Sequence, residues 1–133
     1  CKSDPRKYDS PLMFTHKGAL YVIARRNLTA TGNYDLGMRD LSPRDQTIAY
    51  LLDYSLKPKR CSVWRYDTTY KRIVFIMDLP SRGDTCFASI APKSEHEYLL
   101  FNYTSPLTGD DISWLQGQIG DTIIYSGTLR FAE

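Results

Sequence analysis

Short apolar runs broken by turn residues dominate the chain, and a single stretch carries a helical period. Leu12-Met13-Phe14 and Leu20 to Ala24 flank the turn His16-Lys17-Gly18, which predicts a β-hairpin. Asn27 to Leu41 is rich in Thr, Gly, Asn and Asp and reads as loop. SPRDQTIAYLLDYSLKP (42–58) then supplies Ser42 as a cap, Pro43 for the first helical position and Asp45 beside the positive end of the helix dipole. Ile48, Leu51, Leu52 and Ser55 line one narrow stripe, the expected buried face, and Pro58 ends a helix predicted near 43–55.

CSVWRY (61–66) and KRIVFIMDL (71–79) form a second predicted hairpin around Asp67 to Tyr70. The order then restarts. SRGDTCFASIAP (81–92) is a loop carrying Asp84 and then a short strand; KSEHE is a turn, and YLLFNYTS (98–105) is the next strand. The polar insertion PLTGDDISWLQGQIGD (106–121) has Thr108 or Asp110 as a cap for one short helical turn through Trp114 and Leu115. TIIYSGTLRF (122–131) is the last strand signal.

The two halves share one plan: a carboxylate, a strand, a turn, a strand, an insertion and a further strand. A four-stranded antiparallel unit of about 70 residues repeated in this way is how β-propeller blades read in sequence. The expected fold is therefore all-β, with about two blades. The first spans 1–80 with a helical insertion at 27–60, and the second, 81–133, lacks its fourth strand. A small β-sandwich of seven or so strands is the competing architecture.

Charge and composition narrow the chemistry. Seventeen basic and fifteen acidic residues are interspersed, which argues against the basic stripe a nucleic acid needs. No apolar stretch approaches the roughly 20 residues of a membrane-spanning helix. No signal peptide is visible, so the residues read as a mature chain or a fragment. Ten tyrosines, five phenylalanines and two tryptophans suit sheet packing. Cys1, Cys61 and Cys86 follow no metal-ligand spacing, and no cofactor motif is present. Cys61 and Cys86 open consecutive strands and either pair or remain buried thiols, according to the compartment. The sequons at Asn27 and Asn102 would accept glycans in a secreted protein, Asn27 being the better placed because Asn102 lies inside a strand.

The stretches YDSPLMFTHKGALYVIARRNL, CSVWRYD, DLPSRGDTCFASI, YLLFNYTSPL and GQIGDTIIYSGTLRF resemble the last two blades of sialidase-like β-propeller proteins. GDT followed by a strand and the FNYTSP strand end carry most of the likeness. The sialidase Asp-box is absent, as are a clear arginine triad and an assignable Tyr/Glu pair. Asp9-Ser10-Pro11 is similar to the Glu-Gly-Pro blade start of five-bladed glycosidase propellers, whose glutamate is the general acid.

The resemblance implies that blade starts converge on the rim of a central funnel, with Asp9 and Asp84 at neighbouring positions. Glycosidases need two carboxylates roughly 5–9 Å apart. Asp9 and Asp84 are thus the candidate catalytic pair, and His16, Arg25, Arg26 and Tyr103 are candidate sugar contacts. The plain alternatives are that the carboxylates make turns, that Arg25-Arg26 is a solvated pair and that Tyr98 and Tyr103 pack between blades. With the Asp-box missing, glycan binding or structural work is expected ahead of hydrolysis, in a secreted or extracellular setting. Two blades cannot close a ring, so a second polypeptide or further copies of the chain are the expected partners, with Cys1 available for an interchain bridge.

Overall fold

A computed structural model of the chain describes residues 3–132; Cys1, and with it the expected interchain bridge, lies outside the described residues. The first sheet is a meander of β1 (Asp9–His16), β2 (Ala19–Asn27), β3 (Lys59–Asp67) and β4 (Arg72–Asp78), each antiparallel to the next. Helix α1 (Pro43–Leu56) lies between β2 and β3. The second sheet is β5 (Ser89–Pro92), β6 (Glu97–Thr104) and β7 (Ile123–Arg130), again in chain order, with the short helix α2 (Trp114–Gln118) between β6 and β7. The fold is mostly β, with two open sheets and no closed barrel among the described residues.

Local chemistry explains these boundaries. The first hairpin turns on Lys17 and Gly18 alone, both at positive φ, the two-residue geometry that matches strand twist. His16 therefore belongs to β1, paired with Ala19, and not to the expected three-residue turn His16-Lys17-Gly18. In the β3–β4 turn the Asp67 carboxylate accepts from the Thr69 and Tyr70 amides, an Asx-turn. Ser42 caps α1 through the Asp45 amide. Helix α2 is capped by Ser113, not by Thr108 or Asp110. Its hydroxyl accepts from the Gln116 amide while the Gln116 side chain accepts from the Ser113 amide, a complete capping box.

The main core lies between the sheets. Ile23, Cys61 and Val63 come from the first sheet, Leu100 and Leu129 from the second, and Leu79 and Cys86 from the segment joining them. Cys61 and Cys86 are disulfide-bonded across this core, their Cα atoms 4.9 Å apart. The opposite face of the first sheet holds a smaller cluster, Val22, Ala24 and Trp64, covered by Tyr8 and Ile73.

Helix α1 overturns the expected buried face. Ile48, Leu51 and Leu52 are 55%, 42% and 60% exposed, whereas Tyr50 and Tyr54 are buried. Hydropathy undervalues tyrosine, whose ring packs while its hydroxyl takes a partner. Here the Tyr50 hydroxyl accepts from the Met38 amide and donates to Gln46 Oε1.

Candidate functional site

Asp9 begins β1 at a register shift, with Ser10 at positive φ, and stands directly opposite Arg25 on β2. An opposite-charge cross-strand pair of this kind is favourable. Arg25 is 8% exposed and reaches from the first sheet to the second. Its Nε donates to the Thr85 carbonyl at 2.7 Å, Nη1 lies 3.5 Å from Asp9 Oδ2, and Nη2 donates to the Tyr103 hydroxyl at 3.4 Å. That hydroxyl in turn donates to Asp84 Oδ1 at 3.1 Å, and Gln118 Nε2 holds Asp84 Oδ2 at 2.5 Å. Burial pushes the Tyr103 phenol up, which keeps its proton available for Asp84. Lys7 Nζ, 3.3 Å from Asp9 Oδ1, completes the cluster.

Four of the six expected site residues, Asp9, Arg25, Tyr103 and Asp84, thus form one hydrogen-bonded chain across the two sheets. The other two lie elsewhere. His16 is buried at the hairpin end, stacked on Phe131 with centroids 4.1 Å apart and its Nδ1 3.1 Å from the Tyr98 hydroxyl. Arg26 points to the opposite face of β2, where it pairs bidentately with Asp78 at 2.8 and 2.7 Å. Strand alternation sends neighbouring arginines to opposite faces, so Arg25-Arg26 is not a solvated pair.

Next to the chain lies a cleft of about 150 Å³ lined by Lys7, Asp9, Arg25, Tyr54, Ser55 and Trp114, with Leu51 at its edge. Two polar atoms of these residues, the Tyr54 hydroxyl and Trp114 Nε1, are buried without a hydrogen-bond partner among the described residues. Tyr54 and Trp114 were not foreseen as site residues; helices α1 and α2 bring them there, tied by the Trp114 amide donating to the Lys57 carbonyl.

The remaining expectations concern asparagines. Asn27 and Asn102 are each 2% exposed. Asn27 Oδ1 accepts from Lys59 Nζ and its Nδ2 donates to the Asn33 carbonyl. Asn102 accepts from the Phe87 amide and donates to the Tyr125 hydroxyl. Both amides are interior hydrogen-bonding groups, so in the folded chain neither sequon presents an acceptor to solvent, contrary to the expectation for Asn27.

Gly117 sets the position of Asp84. A Cβ there would lie 2.2 Å from the Asp84 amide nitrogen and 2.9 Å from its Cβ. Gly117→Ala must push α2 and the Asp84 loop apart. We expect a loss of about 1–3 kcal/mol in stability, together with loss of the Gln118–Asp84 contact. Urea denaturation would check this, and an unchanged midpoint would mean that α2 yields without strain.

No protein-family model matches the chain, and neither a curated protein nor a solved structure matches it.

Proposed function

We propose that the chain is a saccharide-binding module made of two successive propeller-type blades, with the cleft beside Asp9 and Arg25 as its sugar site. The observation that carries the reading is the pair of buried, unpartnered groups at the cleft, the Tyr54 hydroxyl and Trp114 Nε1, next to a carboxylate and a guanidinium. Sugar hydroxyls both donate and accept, so they match a wall offering acceptors (Asp9) and donors (Arg25, Tyr54, Trp114) side by side. The volume is below the roughly 300–1,000 Å³ of ordinary ligand pockets, which suits one ring or a terminal residue of a glycan.

Binding is favoured over hydrolysis because both carboxylates are already engaged. Asp9 is held by Lys7 and Arg25, and Asp84 by Tyr103 and Gln118. A glycosidase needs one carboxyl free to give up a proton and another free to attack or activate water. The Cys61–Cys86 bridge supports an extracellular setting, where disulfides persist.

Calorimetric titration with a panel of neutral and acidic mono- and oligosaccharides tests the proposal. At least one sugar should bind saturably, and Asp9→Asn should weaken it about tenfold or more, the usual worth of a charge-assisted hydrogen bond. Failure of the whole panel, or equal affinity in Asp9→Asn, would remove the cleft as a sugar site.

A second reading, an assembly subunit, is favoured by one observation. The second sheet has three strands to the first sheet's four, and near the open β7 edge Ile124 is 80% exposed, with Phe101 of β6 42% exposed. Unpaired edges of this kind recruit further strands. A solution mass well above 15.3 kDa by light scattering would support it.

A further inference from the structure

A second pocket, of about 210 Å³, lies on the face of the first sheet away from the second. Arg6, Arg26, Trp64 and Phe75 line it together with the loop from Thr29 to Gly32. Trp64 is 3% exposed, yet among the described residues its indole N–H has no acceptor. Both guanidiniums are held rigidly and still have a donor to spare. Arg6 uses Nε and Nη2 on Asp4 and lies over the Trp64 ring, 5.3 Å from its centroid. Arg26 uses Nε and Nη2 on Asp78 and lies over Phe75 at 5.1 Å. Among the described residues neither Nη1 has an acceptor. The hydroxyls of Thr29 and Thr31 accept from the Gly32 and Asn33 amides, so their own protons remain free to donate.

Five donors without acceptors therefore belong to residues around one small pocket. Lys7, also on the wall, adds a further ammonium group there, its Nζ 3.3 Å from Asp9 Oδ1. A planar carboxylate offers two oxygens and about four acceptor sites. A tetrahedral oxyanion presents its oxygens in several directions, as these donors from a strand pair, a loop and the N-terminal segment require. We propose that this pocket binds a tetrahedral oxyanion, the phosphate or sulfate group of an ester. It shares Lys7 with the proposed sugar cleft, but its five donors belong to residues that do not line that cleft, and its recognition needs no reading of that cleft.

The two indole N–H groups make the test local. In a nitrogen-15 NMR titration of the full chain, inorganic phosphate and sulfate are added separately, with sodium chloride at matched ionic strength as the control. The Trp64 resonance, assigned by its loss in Trp64→Phe, should shift saturably while that of Trp114 stays in place. Arg26→Gln should raise the dissociation constant at least tenfold, and Arg6→Gln, altering a residue near the surface, provides the same readout if Arg26→Gln fails to fold. Saturation with phosphate alone assigns phosphate esters, with sulfate alone sulfate esters, and with both a general tetrahedral site. The proposal is overturned if sodium chloride reproduces the shift, if acetate binds as tightly as phosphate and sulfate, or if both anions leave the Trp64 resonance unmoved.

Discussion

Replacing Cys61 and Cys86 together by alanine should lower the unfolding free energy by about 3.5 kcal/mol, the chain-entropy worth of cross-linking a 25-residue separation. In a domain of this size that corresponds to a fall in melting temperature on the order of 10 °C. Both sulfurs are fully buried between the sheets, so alanine is a better replacement than serine, which would bury two new hydroxyls. The bridge has a second task. Cys86 directly follows Thr85, whose carbonyl receives Arg25 Nε, and Thr85 follows Asp84. Freeing this loop should loosen the Arg25–Tyr103–Asp84 chain and weaken any binding at the proposed sugar cleft even where the variant remains folded. Urea denaturation of wild type and variant reads the stability. A loss under about 1 kcal/mol would mean that the core holds the loop without the bridge.

The second large effect belongs to Lys59. It is fully buried, with Nζ donating to Asn27 Oδ1 at 3.0 Å, to the Lys57 carbonyl at 2.6 Å and to the Tyr54 carbonyl, over whose ring it sits at 4.0 Å. No carboxylate pairs with it among the described residues. Burial, reinforced by the nearby Arg25 charge, lowers it from 10.5 to about 7. Lys59→Ala removes the stem and strands Asn27 Oδ1, and should cost on the order of 4 kcal/mol. Lys59→Met keeps the volume and isolates the charge.

Between about pH 7 and 10.5 the unfolded chain binds a proton at Lys59 that the folded chain does not. Wild-type stability relative to Lys59→Met should therefore rise with pH across that window, by up to about 1.4 kcal/mol per pH unit. Below pH 7 both states are protonated and the cost of the buried charge is fully present. Denaturation at pH 6, 7.5 and 9 reads the difference, the upper limit being kept below tyrosine ionisation. A flat difference would show that Lys59 keeps its proton throughout.

Much of the fold was legible because strands and turns are written locally. The apolar runs at 12–14, 20–24, 61–66, 71–79, 98–105 and 122–131 became strands, and Ser42-Pro43 started α1 where expected. The Ser113-x-x-Gln116 capping box was also readable, but Thr108 and Asp110, nearer the start of the polar insertion, drew the prediction away from it. Two differences concern exposure: His16 of the first hairpin and the Asn27 sequon are both buried. His16 (through Nδ1), Arg25, Asn27 and Asn102 are polar and buried, and each meets a partner distant in sequence that no local window contains. Tyr54 and Trp114 line the cleft beside Asp9 only because α1 and α2 come together. Asp9 and Asp84 were singled out as a pair from their matching places before strands. Their link through Arg25 and Tyr103 depends on how two sheets stack, which strand patterns leave open.

The meander has a kinetic consequence. Since every strand pairs only with its neighbours in the chain, no pairing has to wait for a distant segment, and the tight β1–β2 and β3–β4 hairpins can close on a microsecond scale. The slower events are the closures that bring β2 to β3 across 28–58 and β6 to β7 across 105–122. Loop entropy grows only with the logarithm of length, so the longer closure is the costlier by merely about 0.5 kcal/mol. A chain leaving the ribosome can therefore complete its first sheet while the residues of the second are still being joined, and the second then assembles on a finished template.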